Sequence, residues 1–249
     1  MRRAGVLFPF AGLLAAALAW AAGAGWLVSV TPVATAFAPL ATFEALQQLV
    51  QGSDLWVHVA VSLQRVAVGL VFALVLGIPL GVLTGLSPLF SRTTTPLFQF
   101  ARMISPLSWM PIAVMVLGVG DAPVYFLLAF AAVWPILLNT AAGVAQLDPN
   151  WLLLARSLSA TRRETLLRVI LPGITAHILT GVRLAIGIIW IVLVPAEMLG
   201  VSAGLGYFIL DSRDRLAYSD LMAAILVIGF LGYLLDHAAR TLHRRWLHA

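Results

Sequence analysis

The sequence predicts an all-α membrane protein that crosses the bilayer about six times. Hydrophobic residues make up 61% of the 249 residues and charged residues only 10%, and the mean hydropathy is +1.00. These values lie outside the range of soluble domains. Because lipid offers no partner for an unpaired backbone group, each apolar run long enough to cross it is expected to be helical. The predicted spans cover residues 6–30, 56–86, 96–120, 122–147, 173–200 and 216–238.

The first apolar run could be a membrane span or a cleaved secretory signal. Arg2 and Arg3 precede it, as positive charges precede a signal. The run from Ala4 to Val30 exceeds the apolar core of about 7 to 15 residues found in signal peptides. We therefore expect residues 1–55 to form a retained span and a periplasmic segment, and residues 56–249 a core with the other five spans.

Two connections between spans carry local structural signals. Residues 42–50 have the pattern of a short amphipathic helix that ends before Gly52. The residues from Gly120 to Pro123 have the composition of a tight turn between the third and fourth spans.

The positive charge of the chain comes only from arginine. The sequence has 15 arginines, no lysine and 10 acidic residues, which gives a net charge of +5. The arginines are scattered beside apolar runs, the pattern that orients a membrane protein, so we expect no nucleic-acid partner. Arg213 and Arg215 fall on one side of the membrane. The opposite side has more arginines and holds both termini, so we expect it to be cytoplasmic. Its arginines are Arg2, Arg3, Arg92, Arg102, Arg156, Arg162, Arg163, Arg168, Arg240, Arg244 and Arg245.

Two missing residue types exclude whole classes of site. Cysteine is absent, which excludes disulfides, thiol catalysis and zinc sites with cysteine ligands. A P-loop needs a lysine to reach the phosphates of a nucleotide, so a chain without lysine is not expected to hydrolyse ATP. The histidines are isolated from one another, and we predict no bound metal and no cofactor. The G-x-G-D pattern at residues 118–121 fits an intramembrane aspartyl protease, but no second aspartate lies in a preceding span.

A polar loop at residues 148–172 interrupts the apolar chain. Asp148, which is followed by proline, is typical of a helix start, and Thr161 with Glu164 has the pattern of a capping box. We expect two short helices, the second ending at Pro172–Gly173. The loop either lies on the membrane with its arginines on lipid phosphates or docks a cytoplasmic partner. Its apolar residues at helical spacing are Leu154, Leu158, Leu166 and Ile170.

Two charged residues lie on one helical stripe inside the fifth predicted span. Arg183 and Glu197 require an explanation, because a charge at the bilayer centre costs about 2.5 to 3.5 kcal/mol on insertion scales. They either pair with neighbouring helices and hold the bundle together, or line a translocation path. The position of Arg65 in the outer third of its span favours a structural pairing. The residues that would line a path are Trp109, Trp134, Asn139, Arg183, Trp190 and Glu197.

The segment LLARSLSATRRETLLRVILPG, residues 153–173, resembles a degenerate form of the E-A-A-x3-G-x9-I-x-L-P loop of binding-protein-dependent ABC importer permeases. Ala155 and the final Leu-Pro match the pattern, whereas Ser159 stands at its glycine and Val169 at its isoleucine. Other segments resemble, in order and spacing, the permeases of the nitrate, sulfonate, bicarbonate and taurine group. These segments are VSLQRVAVGLVFALVLGIPLG (61–81), MISPLSWMPIAVMVLGVG (103–120), VWPILLNTAAGV (133–144) and TGVRLAIGIIWIVLVPAEMLGVSAGLGYFI (180–209).

This resemblance implies the fold of a type I ABC importer permease, with the loop as a coupling helix seated in a groove of a separate ATPase. That ATPase would bind ATP and Mg. The resemblance also implies a permease homodimer, a periplasmic substrate-binding protein and a place in the bacterial inner membrane. The small residues of the turn at 159–161 make it the expected point of ATPase contact. The predicted coupling residues are Ala155, Arg156, Leu158, Ser159, Ala160, Thr161, Arg162 and Arg163.

The predicted function is ATP-driven import of a small anion, with nitrate or bicarbonate favoured over sulfonate or taurine. The alternative is a carrier driven by an ion gradient, or an intramembrane enzyme. Carriers usually contain internal repeats and buried carboxylates near the middle of the membrane. No internal repeat is visible here, and Glu197 is the only carboxylate well inside a predicted span. These observations favour the importer.

Overall fold

The computed structural model describes the backbone of residues 4–247, with the side chains of that range except residues 4–11, 13, 32, 242, 243, 246 and 247. Arg2 and Arg3, which the sequence analysis places in the cytoplasm, lie outside the described residues. No β-strand occurs within residues 4–247. The α-helices are α1 (Ala4–Val28), α2 (Pro39–Gln51), α3 (Asp54–Leu86), α4 (Pro88–Met103), α5 (Met110–Leu117), α6 (Asp121–Ala145), α7 (Pro149–Ser157), α8 (Arg162–Thr165), α9 (Leu171–Glu197), α10 (Leu205–Asp214) and α11 (Tyr218–Leu247).

Four helices in the described part of the chain are long and apolar enough to cross a membrane, or five if one bent pair counts as a single span. The four are α3, α6, the helix Arg162–Glu197 that contains α9, and Tyr218–Thr241 of α11. They coincide with the second, fourth, fifth and sixth predicted spans. α1 coincides with the first, and its part Leu14–Val28 is a shorter apolar helix. The total of six spans stays a prediction.

The third predicted span, residues 96–120, is wrong as one continuous helix. α4 and the helical segment Pro106–Leu117 meet at a bend of 88°. Ile104 and Ser105, between them, have extended backbone, with ψ of 125° and 128°. Ser105 precedes a proline, whose ring disfavours helical angles in the residue before it. The proline therefore separates two helical parts where hydropathy alone indicates one.

One of two compact units comprises residues 61–202 and 231–247. Within it, α6 packs along α9 and also meets α3. Glycines at every fourth position of α3 let the two backbones approach closely, as small residues do between membrane helices. A Cβ at Gly81 would lie 2.6 Å from the Leu137 carbonyl oxygen, and one at Gly85 2.5 Å from the Val144 Cβ. The fully enclosed side chains between these helices include Leu127, Leu128, Ile136, Leu137, Ile189 and Leu193.

The other compact unit comprises residues 4–60 and 203–230. The indole N–H of Trp20 in α1 donates a hydrogen bond to the Phe37 carbonyl at 3.0 Å, which ties α1 to the 3-10 turn that follows it. The backbone N–H of Gly204 donates to the Nδ1 of His58, also at 3.0 Å.

α2 in this unit confirms the short amphipathic helix predicted at residues 42–50. It buries Thr42 and Ala45 and ends at Gly52. The Thr42 hydroxyl donates to the carbonyl of Ala38 at 3.0 Å, which satisfies the buried hydroxyl. The predicted domain boundary at residue 55 stays a prediction.

Candidate functional sites in the polar loop and the membrane helices

Both helix starts predicted in the loop at residues 148–172 are present. The Asp148 carboxylate accepts a hydrogen bond from the Asn150 N–H at 2.9 Å, and Pro149 opens α7. The Thr161 hydroxyl accepts the N–H of Glu164 at 3.2 Å, while the Glu164 carboxylate accepts the N–H of Thr161 at 2.9 Å. The predicted capping box is confirmed. The hydrogen bond from the Thr161 N–H, with a second from its hydroxyl, holds the pKa of Glu164 below its ordinary value.

The turn between α7 and α8 has a left-handed residue. Ser159 has a φ of 55°, a conformation that costs a non-glycine residue about 1–2 kcal/mol. Its N–H donates to the Arg156 carbonyl at 2.9 Å, and the N–H of Ala160 donates to the Ala155 carbonyl at 3.0 Å. This pair of hydrogen bonds is a Schellman motif. Ser159 stands where the resembled loop pattern has glycine, and its backbone explains why a glycine suits that position.

The second helix of the loop does not end at Pro172–Gly173, so this prediction is wrong. The chain passes through a π-turn at Leu166–Ile170 into α9, and a continuous helix of 36 residues results. Pro172 has no N–H, and its ring crowds the carbonyl four residues before it. The N–H of Leu171 donates instead to the Leu166 carbonyl, five residues back. This wider turn accommodates the proline without ending the helix.

The turn presents an apolar and basic surface. Leu158 is 73% exposed and Trp151 is 57% exposed, although apolar side chains of this size are usually covered. Ala155 is buried beneath the turn, and Ala160 is half-buried. A groove of about 310 Å³ runs along α7 beside Leu158. The predicted coupling residues with exposed side chains are Arg156, Leu158, Ser159, Thr161, Arg162 and Arg163.

A buried ionic cluster joins α3, α6 and α9. The Arg65 Nη1 lies 2.8 Å from the Glu197 Oε1, and its Nη2 lies 2.6 Å from the Asp121 Oδ1. The Ser62 hydroxyl donates to the Glu197 carboxylate at 2.8 Å. The side chains of Arg65 and Glu197 are 3% and 0% exposed, whereas Asp121 is 50% exposed. The structural pairing favoured for Arg65 is present, and it encloses Glu197 completely.

A second ionic cluster joins α9 and α11. The Arg183 Nε lies 3.5 Å from the Asp236 Oδ1, and Arg240 pairs with the other oxygen of the same carboxylate. All three side chains are about two-fifths exposed. Trp190 also faces α11, where a Cβ at Gly232 would lie 2.5 Å from its Nε1. Arg183 and Trp190 therefore face α11, whereas Glu197 faces α3. The sequence pattern had placed all three residues on one stripe of α9 and did not show that they face different helices.

The predicted path residues on the third and fourth spans meet around one ring. The ring centroid of Phe130 lies 5.8 Å from that of Trp109 and 5.5 Å from that of Trp134. The Nε1 atoms of both tryptophans are buried, and no described residue accepts a hydrogen bond from either. The Asn139 amide donates to the Pro135 carbonyl on its own helix at 2.8 Å. One donor of the Asn139 amide is thus used within its own helix, whereas the indole donors of both tryptophans have no acceptor among the described residues.

Sequence reasoning missed the partners of the charged residues. Ser62, Asp121, Asp236 and Arg240 belong to the two clusters but were not proposed as site residues. The signal that points to them is chemical, since a guanidinium in a membrane span requires a carboxylate nearby. Which aspartate supplies it depends on helix packing, which one sequence does not reveal.

Comparisons with known proteins agree with this architecture. Residues 77–248 match the family described as "binding-protein-dependent transport system inner membrane component". The bicarbonate transport system permease protein CmpB of Synechococcus elongatus is 38% identical over 98% of this chain and 90% of its own length. The nitrate import permease protein NrtB of Leptolyngbya laminosa is also 38% identical, over 74% of this chain and 67% of its own length. The taurine transport system permease protein TauC of Escherichia coli is 35% identical over 78% of this chain and 70% of its own length.

A solved structure supports the same fold. A chain of the MetNI methionine ABC transporter, in an inward-facing conformation, superimposes with a TM-score of 0.63 over 77% of this chain and 97% of its own length. The sequence identity is 16%, so the likeness concerns the fold alone. It agrees with the type I importer permease fold that the sequence resemblance implies. The family match covers more than half of the chain, and the protein therefore belongs to the family of binding-protein-dependent transport system inner membrane components.

Proposed function

We propose that this chain is the permease subunit of an ATP-driven importer of a small anion, with bicarbonate and nitrate as the first candidates. The observation that carries the substrate class is the 38% identity to a bicarbonate permease over 98% of the chain. Membership of the family makes the chain a transporter component of the inner membrane rather than a catalytic enzyme. The net charge of +5 is compatible with an anionic substrate.

The proposed energy source is a separate ATPase that docks on the loop at residues 148–172. The exposed apolar Leu158 beside exposed arginines supports a docking role, since interfaces combine an apolar centre with a polar rim. ATP and Mg bind to that ATPase, and we propose no cofactor for this chain. A periplasmic substrate-binding protein delivers the anion, and a second copy of the permease completes a homodimer. Both termini lie in the cytoplasm in this proposal, because most arginines fall on that side.

The proposed translocation path uses polar side chains of the membrane helices that are exposed or have unused hydrogen-bond donors. Trp109 and Trp134 have indole donors without acceptors among the described residues, and Arg183 is 42% exposed. Asn139 and Trp190 complete the proposed lining. Glu197 is assigned to bracing instead, because the Arg65 and Ser62 side chains already satisfy its buried carboxylate.

Reconstitution tests the proposed function. The permease is purified with its ATPase and incorporated into liposomes, and the uptake of labelled bicarbonate, nitrate and taurine is measured with the binding protein outside. We expect ATP-dependent uptake of bicarbonate or nitrate, and no uptake when ADP replaces ATP. Uptake driven by a sodium or proton gradient without the ATPase would establish the alternative, a secondary carrier. Uptake of taurine alone would reject the assigned substrate.

A further inference from the structure

A cavity of about 280 Å³ lies at the break between α4 and α5. Arg102 from the last turn of α4, Pro106 from the short turn after the break, Trp134 from α6 and Ile188 from α9 line it. All of these residues belong to the same compact unit. Discontinuous helices form the binding sites of many transporters, because a break frees polar groups within the membrane.

The cavity lies beside the middle of two helices that are long and apolar enough to cross a membrane. Trp134 stands about midway along α6, the 25-residue helix Asp121–Ala145. At about 1.5 Å per residue, it is about 16 to 20 Å from either end. Ile188 stands well inside the 27-residue helix Leu171–Glu197. A polar group at this depth is expensive in lipid and therefore indicates a function or a partner.

The polar groups of the cavity are hydrogen-bond donors without partners. Arg102, which is exposed in the single chain, forms no ion pair or hydrogen bond with any described residue. The Nε1 of Trp134 is buried and has no acceptor in the part of the chain that the structure describes. No acidic residue is among the described residues that line the cavity. An unpaired guanidinium and an unpaired N–H are complementary to an anion with oxygen acceptors.

The size of the cavity is compatible with a small oxyanion. A water molecule takes up about 30 Å³ in the liquid, so the cavity has room for an oxyanion with part of its hydration shell. Its other lining groups, such as Ile104 and Leu138, are apolar. We expect a site with one cation and few donors to hold an anion weakly enough to release it.

We propose that this cavity is a transient binding site for the transported anion inside the membrane. The Arg102 guanidinium balances the charge of the anion, and the Trp134 indole N–H donates a hydrogen bond to one of its oxygens. This inference rests on the proposed function, and it assigns to Arg102 a role within the membrane rather than on the cytoplasmic side.

Substitutions in the complete complex test the site through transport. We expect Arg102→Gln to lower uptake by about tenfold or more, the loss that one charge-assisted hydrogen bond supports. Trp134→Phe keeps the ring and removes the N–H, so uptake should fall by about threefold to tenfold. Arg102→Lys should restore part of the uptake because it restores the charge. The control is Arg92→Gln, an exposed arginine on the same helix outside the cavity lining, which should transport at the wild-type rate.

Direct binding tests the site without transport. The complex is placed in nanodiscs of neutral phosphatidylcholine and titrated with the sodium salt of the anion that the wild type takes up, while tryptophan fluorescence is recorded. We expect a saturable change that disappears in Arg102→Gln, which keeps all eight tryptophans. Loss of the change in Trp134→Phe would only identify Trp134 as the fluorophore that reports it. A change identical in all variants would overturn the proposal. The proposal would also fail if phosphatidylglycerol alone produced the signal and the anion did not compete, since the occupant would then be a lipid phosphate.

Failure of the proposed function and failure of the cavity site give different experimental results. If wild-type complex takes up none of the anions, the proposed function is wrong. If the wild type transports an anion and Arg102→Gln transports it equally fast, only the cavity site is wrong. ATP hydrolysis stimulated by the loaded binding protein serves as the measure of assembly. It should persist in Arg102→Gln, whereas a merely structural role for Arg102 would reduce hydrolysis and membrane abundance together.

Discussion

Arg65 is a buried charge whose ion pairs connect three helices. Removal of a guanidinium and a carboxylate from water costs several kcal/mol per ion, and mutual attraction repays this only when the remaining hydrogen bonds are satisfied. Here Glu197 receives hydrogen bonds from Arg65 and Ser62, and Arg65 also reaches Asp121. Loss of the Arg65 side chain therefore removes the guanidinium that pairs with both carboxylates, whereas loss of Asp121 leaves the pair of Arg65 with Glu197 in place.

Substitution of Arg65 by methionine tests this bracing role. The change removes the guanidinium that lies 2.8 Å from the buried Glu197 carboxylate, and we expect a loss of stability of about 3–5 kcal/mol. Asp121→Asn is the control, since that partner is half-exposed and should cost about 1 kcal/mol or less. The measurement is the thermal unfolding of the purified permease in detergent, with membrane abundance as a second readout. An unchanged unfolding temperature in Arg65→Met would contradict the bracing role.

Ser159 is a residue at which a substitution should improve local stability. Glycine adopts its left-handed backbone without the cost that serine incurs, so Ser159→Gly should stabilise the turn by about 1 kcal/mol. Hydrogen exchange of the Ser159 and Ala160 amides, which donate the two hydrogen bonds of the Schellman motif, should slow accordingly. Ser157→Gly, at the last residue of α7, should have the opposite effect, because glycine is a poorer helix former than serine. Faster exchange in Ser159→Gly than in the wild type would refute the argument.

At the scale of helices, the sequence predicted correctly those features that depend on contacts between neighbouring residues. The caps at Asp148 and Thr161 were correct because each depends on a hydrogen bond within three residues. The break at Ile104 and Ser105 was missed, since hydropathy does not register the backbone restriction that a proline places on its neighbour. Pro172, at the end of the loop, gave the opposite error, because a helix end was predicted there and the helix continues. Its usual effect is to end a helix, and here a π-turn accommodates it.

The glycines of α3 set how closely α3 and α6 approach. Gly81→Ala places a Cβ 2.6 Å from a backbone oxygen that cannot rotate away, and we expect a loss of about 1–3 kcal/mol from overpacking. Gly229→Ala in α11 is the matched control, because no atom lies within 4 Å of its added Cβ. That control should be neutral or slightly stabilising, as alanine is a better helix former. Equal unfolding temperatures for both variants would show that α3 and α6 do not pack in this way.

At the scale of the whole molecule, most of the architecture was predictable and most of the polar connections were not. Apolar runs located five helical segments correctly, because a bilayer imposes length and composition on each span separately. The pairings of Arg65 with Glu197 and of Arg183 with Asp236 connect residues far apart in sequence. Such pairs depend on which helix faces which. A single sequence does not contain that information in a readable form.

The assembly with an ATPase yields a prediction at this scale. Leu158→Asp places a charge in the proposed docking surface, so less ATPase should co-purify and substrate-stimulated hydrolysis should fall, while the permease still inserts. Leu216→Asp is the control, because Leu216 is similarly exposed at 69% but lies on the side proposed to face the periplasm. Full ATPase binding by Leu158→Asp would mean that the loop lies on the membrane surface instead.

If the continuous helix Arg162–Glu197 moves as a rigid body, a small tilt at the loop becomes a large displacement at Glu197. The 36 residues of this helix extend over about 54 Å at about 1.5 Å per residue. A tilt of about 5° at the loop end would displace the far end by about 5 Å, well beyond the length of a hydrogen bond. The buried carboxylate of Glu197 therefore stands where a small rotation has its greatest travel. The π-turn at Leu166–Ile170, near the opposite end, is an irregular point at which such a rod would flex.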